Sequence, residues 1–416
     1  MRVALGGGAR QPALWHVPGR IELLGKHTDY AGGRSLLCAI DRGLVIGMVP
    51  RDDDTVTFLD SRSRARAAFR LDPGLVPLTG RWAGFPMTVA RRIARNFPGA
   101  RRGADLTLAS NLPSAAGMSS SSALIVATFL ALAEANDLTS SDTWREHLST
   151  PEALAEYLGC IENGQSFKTL AGDRGVGTFG GSQDHTAILC CRPGRVSRYS
   201  FAPVTFEGDI AWPDGMALVV AVSGVRARKS GPQRESYNRL SLAVRTILDR
   251  WRLASGSAAA TLAAAAAEPG APEDILRLLR SHEEPGFPAG FLAGRFRQFL
   301  AESTEIIPEA SRALASRDLA RFGDLVDRSQ LAAEEGLGNQ VSETVHLARR
   351  ARALGAHAAS AFGAGFGGSV WAMVDAATAD RFGKEWIGEY RHAFPGAARR
   401  AECFRTKPAP AARRIE

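Results

Sequence analysis

The chain has 416 residues, 51 Lys and Arg against 43 Asp and Glu, a formal charge of +8, and 45% hydrophobic with 23% charged residues. That length exceeds one ordinary core and suits two lobes, and the composition is that of a globular chain. No apolar window reaches spanning length, Met1 to Gly8 lacks a signal-peptide core, the five cysteines form no C-x-x-C, and the arginines are spread without interleaved aromatics, so no membrane, zinc site or nucleic acid is expected, and the cytoplasm with reduced thiols is the expected location.

In chain order, a strand at Leu14–Val17 runs into Pro18-Gly-Arg-Ile-Glu-Leu-Leu-Gly-Lys-His-Thr-Asp-Tyr-Ala-Gly-Gly33. Arg20, Lys26, His27 and Asp29 cluster there between glycines, a mix suited to a polyhydroxy ligand. Asp29 and His27 can exchange hydrogen bonds with vicinal hydroxyls, and Arg20 is a permanent cation able to steady a transferring phosphoryl group. Gly25-Lys26 is not a P-loop, because the required earlier Gly and following Ser or Thr are Arg20 and His27. A charged surface turn is the bland alternative.

Strands follow at Ser35–Val49, Thr55–Leu59, Ala67–Leu71 and Asp105–Ala109, with a helix at Trp82–Asn96. Asn111-Leu-Pro-Ser-Ala-Ala-Gly-Met-Ser-Ser-Ser-Ser-Ala123 then leads into a helix at Ala123–Ala135. Small residues before a helix whose first N–H groups lack partners make a phosphate cradle, and the hydroxyls of Ser119, Ser120, Ser121 and Ser122 can donate to phosphate or ligate Mg²⁺. A serine-rich N-cap is the plain alternative.

After Phe201 the pattern changes to a strand at Ala217–Ser223, a run of helices from Glu235 to Ala358, a strand at Val370–Val374, a helix from Ala377 and a last strand near Ala401–Phe404. Within that run, Ala254 to Ala271 reads as an exposed helix plus a turn. Gly363-Ala-Gly-Phe-Gly-Gly368 matches the dinucleotide fingerprint formally, but a helix is expected before it and a strand after it, the reverse of what that motif needs. Glycines so dense instead allow close approach of another loop or a ligand. Strands and helices mix without a βαβ repeat, which predicts an α+β protein of two lobes, 1–205 and 206–416, with a site between them.

Taken together, the three segments resemble, in order and spacing, the three motifs of the GHMP kinases, and specifically the galactokinase branch. The first is similar to G-R-[IV]-N-[IL]-[IL]-G-E-H-T-D-Y-x-G-G, the second to L-P-x-G-x-G-L-S-S-S-A and the third, Gly363, Gly365, Gly367 and Gly368, to G-A-G-F-G-G. Arg81-Trp82-Ala-Gly-Phe85 resembles R-W-A-x-Y, Cys160-Ile-Glu162 the helix bearing the Mg²⁺-ligating Glu, Gly180-Gly-Ser-Gln-Asp184 the C-G-x-M-D-Q segment, and Ser236-Tyr237-Asn238-Arg239 the S-x-Y-N-x-R segment. The resemblance implies the two-lobed GHMP kinase fold, with an N-terminal lobe like the second domain of ribosomal protein S5 and a ferredoxin-like C-terminal lobe with added helices. It further implies ATP as co-substrate, Mg²⁺, and transfer of phosphate to the anomeric C1 hydroxyl of galactose or a related aldose.

Carried over residue by residue, the resemblance makes Asp184 and Arg20 the catalytic pair and puts Ser121 and Glu162 at Mg²⁺. Lys26, His27, Asp29, Gly181 and Tyr237 fall at the sugar, and Trp82, Ala115, Gly117 and Ser119 to Ser122 at ATP. Asp184 serves either as a true base or as a late proton acceptor. Plain structural alternatives are a turn-capping Asp184, a core Trp82 and a solvated Glu162, the last because about ten extra residues lie within Gln165 to Phe179 relative to the family spacing.

The departures bear on the substrate. The signature's Asn is Glu22, its Glu, which faces the C6 hydroxyl in galactokinases, is Lys26, Ala115 replaces a motif Gly, and Ser182-Gln183 replace an apolar residue and Met. Lys26 either pairs with Glu22 or another carboxylate, donates to a hydroxyl of a different sugar, or meets a negative group such as a uronate. A non-catalytic sugar and ATP sensor is the reading from another class, disfavoured because Arg20, the serines and Asp184 all remain. The mevalonate and homoserine branches lack the His27-Thr-Asp29-Tyr30 cluster. Oligomeric state is not legible.

Overall fold

A computed structural model describes residues 11–226, 232–281 and 284–415; the expectation for Met1 to Gly8 lies outside them. Two sheets organise the molecule. In the first, the strands run in the order Arg413–Ile415, Ala13–Leu24, Arg34–Pro50, Ala104–Ser110, Thr55–Asp60 and Arg66–Arg70. All neighbours are antiparallel except Thr55–Asp60 with Ala104–Ser110. The start of the 17-residue strand Arg34–Pro50 also pairs with Arg195–Ser200, which pairs with Thr205–Ala211. The second sheet has the order Glu402–Thr406, Met216–Val222, Ser369–Asp375 and Ala358–Phe362. The first sheet therefore continues past residue 205 and takes back the chain's last strand.

The helix Ser120–Ala135 is apolar on every side and nearly all of it is buried, which marks a core element, and it packs on the strands Ala13–Leu24 and Arg34–Pro50. Its N-terminus is thereby held at the sheet's end. Along Ala13–Leu24, Ile21 and Leu23 enter the core while Arg20 and Glu22 alternate to the other face. Register shifts between Pro18 and Arg20 and between Glu22 and Leu24 bracket these two residues. Irregularities of this kind re-aim side chains and end pairing.

The expected strands and helices all occur, with longer first and second strands. Four strands were not anticipated, at Arg195–Ser200, Thr205–Ala211, Ala358–Phe362 and Arg413–Ile415; the first and last of these are short, polar and rich in Arg or Ser, so neither period nor propensity announces them. The expected helix to Ala358 stops at Ala353, and the strand Ala358–Phe362 precedes the glycine loop. The loop is thus the turn of an antiparallel hairpin with Ser369–Asp375, which keeps the dinucleotide reading excluded. The alanine-rich stretch contains the short helix Leu262–Ala266, whose Leu262 and Ala265 are fully buried. Among the described residues, no helix is long and apolar enough to cross a membrane.

Candidate active site

The glycine loop lies against the phosphate loop. A Cβ on Gly363 would stand 2.7 Å from the Gly117 carbonyl oxygen, and one on Gly117 would stand 3.2 Å from that of Phe362. Only two glycines let these backbones approach so closely. Ser369 Oγ also donates to the Ala116 carbonyl at 2.6 Å, and the Ala364 carbonyl bonds His27 Nε2 at 3.0 Å. All three motifs converge at one place.

A cleft of about 850 Å³ opens there, with Trp82, Ala115, Gly117, Ser119, Ser120 and Ser121 on its walls together with Arg20 and Asp184. Arg81, Arg91, Arg174 and Arg234 also line it, against the acidic Asp184 and Glu235, a balance that suits a polyanion. Trp82 is half-buried, edge-on to Phe58 at 5.7 Å. Ala115 and Ser119 both have positive φ, 53° and 57°. The replaced motif glycine therefore sits where Ala costs about 1 kcal/mol.

A narrower pocket adjoins the cleft and shares Arg20, Asp184 and Ala364 with it; Glu22, His27, Asp29, Glu162, Gly181 and Tyr237 complete its walls with Gln183 and His185. Asp184 opens the helix Gln183–Cys190. Arg20 Nε and Nη2 reach Asp184 Oδ1 at 2.7 and 2.6 Å, and Nη1 donates to the Gly117 carbonyl at 2.5 Å. One guanidinium thus ties the carboxylate to the phosphate loop where cleft and pocket meet.

Asp29 Oδ2 accepts from the Gln183 N–H at 3.1 Å, and a Cβ on Gly181 would lie 2.4 Å from that oxygen. Gly181→Ala is expected to displace Asp29 and raise by about tenfold or more the KM of the substrate held in this pocket, with little change in that of the substrate held in the cleft; steady-state kinetics with each substrate varied checks this, and equal effects on both would remove Gly181 from this pocket's binding wall. His27 Nδ1 bonds the Tyr30 hydroxyl at 2.9 Å, and its ring lies 5.4 Å from that of Tyr237. Both His27 nitrogens are therefore already engaged within the protein.

Glu162 closes the helix Pro151–Asn163 and is 5% exposed, so it is not a solvated position. The extra residues fold back on that helix: Asp173 N donates to the Gly164 carbonyl at 2.8 Å, Val176 N to that of Glu162 at 2.9 Å, and Arg91 pairs with Asp173 at 2.9 Å. Length added between Glu162 and Asp184 is absorbed without separating them. Ser122 Oγ donates to Glu162 Oε2 at 2.8 Å and lies 3.3 Å from Asp184 Oδ2. The hydroxyl joining the two carboxylates is thus that of Ser122, while Ser121 lines the cleft.

Among the described residues, no group of three or more His, Cys, Asp or Glu could hold a metal ion. The oxygen donors that are present, a serine hydroxyl and the Glu162 carboxylate, fit Mg²⁺, a hard cation that completes its shell with nucleotide phosphates and water.

Lys26 does not line the pocket. It is 1% exposed, and its Nζ donates to Ser360 Oγ at 2.8 Å and Ser329 Oγ at 3.2 Å. Burial of the ammonium is supported by hydroxyl acceptors in the C-terminal half, so the contact expected with substrate is replaced by one inside the protein. Sequence reasoning also missed the contacts that the helical segment Phe291–Leu300 and its continuation Ala301–Ile306 make with this loop. Arg295 Nη2 donates to the His27 carbonyl at 2.5 Å, Gln298 Nε2 to that of Lys26 at 3.3 Å, and Glu302 Oε1 accepts from Gly25 N at 2.7 Å. The polar spacing of three and four in an otherwise apolar helix was the available signal.

Glu22 is 3% exposed and accepts from Gln183 Nε2 at 2.7 Å. Burial pushes its carboxyl up to about 7, opposed by Lys26, Arg20 and the Gln183 bond, and assisted by Glu302. Because the folded chain holds this proton more tightly than the unfolded one, its stabilising share is full below about pH 4.5 and is lost as pH rises to about 7. The stability advantage of Glu22→Gln over the parent should grow by on the order of 2–3 kcal/mol between about pH 4.5 and pH 8 in denaturant titrations; a pH-independent difference would contradict this.

Comparisons with known proteins place the chain in a family. The galactokinase galactose-binding signature matches residues 6–50, the GHMP kinase N-terminal domain 85–164 and the GHMP kinase C-terminal domain 310–392. The galactokinase of Chloroflexus aggregans is 28% identical over 388 residues, covering 90% of this chain and 86% of that protein. The galactokinase of Roseiflexus sp. is 26% identical over 401 residues, covering 93% and 89%. In fold, the chain is similar to the crystal structure of Lactococcus lactis galactokinase complexed with galactose, with a TM-score of 0.81, 20% identity, and 99% and 97% of the two chains covered. With three domain models matched in order and relatives aligned over nine-tenths of its length, the chain belongs to the GHMP kinases, in their galactokinase branch.

Proposed function

We propose that this protein transfers the γ-phosphoryl group of ATP to the anomeric C1 hydroxyl of galactose or a closely related neutral aldose. The observation that carries the reading is the ion pair between buried Arg20 and half-buried Asp184 at the junction of a large cationic cleft and a narrow pocket lined by Asp29, Gly181 and Tyr237. Phosphoryl transfer needs positioning and charge neutralisation more than covalent help. The cleft and the N-terminus of the helix Ser120–Ala135 hold the triphosphate, and Trp82 lies at its adenine. Asp184 takes the proton of the attacking hydroxyl, while Arg20 orients that carboxylate and offsets charge on the transferring group. Mg²⁺ would neutralise and orient the phosphates, held by Glu162 together with a hydroxyl at the start of the helix Ser120–Ala135, Ser121 by the motif and Ser122 by its 2.8 Å bond to Glu162.

The uronate alternative loses its basis here, because the ammonium of Lys26 lies outside the pocket. A non-catalytic sensor has no need of a guanidinium held at 2.6 Å from the acceptor carboxylate. The experiment is ADP release by the purified protein with Mg²⁺ and ATP against galactose, its epimers and deoxy analogues, arabinose, and galacturonic and glucuronic acids. Turnover of galactose or a neutral relative supports the reading; silence on every sugar favours the sensor.

A further inference from the structure

Two charged substitutions in the first motif have opposite fates. Lys26, which stands where the galactokinase signature has its carboxylate, is withdrawn among Ser329 and Ser360. Glu22, which stands where that signature has Asn, lines the pocket beside Arg20, His27, Asp29 and Asp184. One Glu22 oxygen, Oε2, accepts from Gln183 Nε2 at 2.7 Å. The other, Oε1, is buried and has no hydrogen-bond partner among the described residues. Gln183 is itself a departure from the motif, a polar residue where Met is usual, and its side chain serves to hold this carboxylate.

A buried carboxyl oxygen left without a donor is costly, and such an atom on the wall of a ligand pocket is satisfied by the ligand. We propose that Glu22 is a specificity-determining residue, whose unpartnered oxygen accepts a hydrogen bond from a hydroxyl of the neutral sugar and disfavours a sugar carrying a carboxylate at that position. The inference rests on the sugar-kinase reading above. It moves the acidic contact four residues back along the chain, from the place of Lys26 beyond the strand's end to Glu22 within it, with Gln183 as its support. Once Glu22 is ionised, repulsion between two carboxylates in so narrow a pocket makes the discrimination steep, so the comparison is made at about pH 8.

The test compares the parent protein with Glu22→Gln and Glu22→Asn, measuring kcat and KM for galactose, KM for ATP, turnover of galacturonate, and thermal unfolding. The parent should use galactose and reject galacturonate. Both variants should raise the galactose KM roughly tenfold or more, move kcat and the ATP KM far less, and narrow the galactose-over-galacturonate preference by at least about tenfold. Glu22→Asn restores the signature residue and answers the question if Glu22→Gln folds poorly. Unchanged galactose KM in the folded variant, or a parent that uses galacturonate as well as galactose, would overturn the assignment. If the parent turns over no sugar, the kinase reading fails by itself. Glu22 is then judged by calorimetric binding of galactose without ATP: tenfold weaker binding in the variant upholds it, and equal or absent binding overturns it.

Discussion

Asp184→Asn is expected to reduce turnover by about 10²–10⁴-fold while nucleotide binding persists. Asn keeps an oxygen facing Arg20 but cannot take a proton from the attacking hydroxyl. The loss therefore falls on kcat, and the ATP KM and the affinity for a non-hydrolysable ATP analogue stay within a few-fold. The Arg20 guanidinium, 4% exposed, would then face a neutral partner. A fall in stability of a few kcal/mol should accompany the substitution, because a buried ion pair broken on one side leaves an uncompensated charge. Thermal unfolding separates that cost from catalysis. Turnover at the parent's rate would remove Asp184 from the chemistry.

Arg20→Ala should have the second largest effect, because one side chain makes two kinds of contact. It leaves Asp184 beside Ser122 and Glu162 without its cation, and it releases the Gly117 carbonyl in the phosphate loop. The expected result is a drop of about 10²–10³-fold in kcat with a rise in the ATP KM. The combination distinguishes this variant from Asp184→Asn. Arg20→Lys keeps the charge but loses the planar fork that reaches Asp184 and Gly117 together, so it should recover only part of the rate. An Arg20→Lys protein as active as its parent would show that charge alone suffices at this position.

Much of this arrangement was legible in the chain. The phosphate loop announced itself because a helix start, small residues and hydroxyls are all local requirements. The first motif was legible for the same reason, since its glycines and its strand are neighbours in sequence. Other features depend on partners far away. The strands Arg195–Ser200 and Arg413–Ile415 are too polar and short to carry a period, and they form by completing a sheet that the rest of the chain has already laid down. Glu162 looked displaced because the residues after it are too many. Its place is secured by Arg91 and by the backbone contacts that fold those residues back on the helix end.

The sequence by itself determined the lobed α+β class, the three loops and the set of charged groups from which a phosphoryl-transfer site is built. The tertiary structure decided which of those groups face the substrate. Lys26 and Glu22 lie four positions apart, and nothing local says that the cation turns inward and the carboxylate toward the pocket. The Lys26 partners stand 303 and 334 positions further on, and Glu22 is held by a residue 161 positions away. Backbone conformation follows from neighbouring residues, whereas the direction of a buried charge is set by where its hydrogen-bond partners end up once the chain has folded.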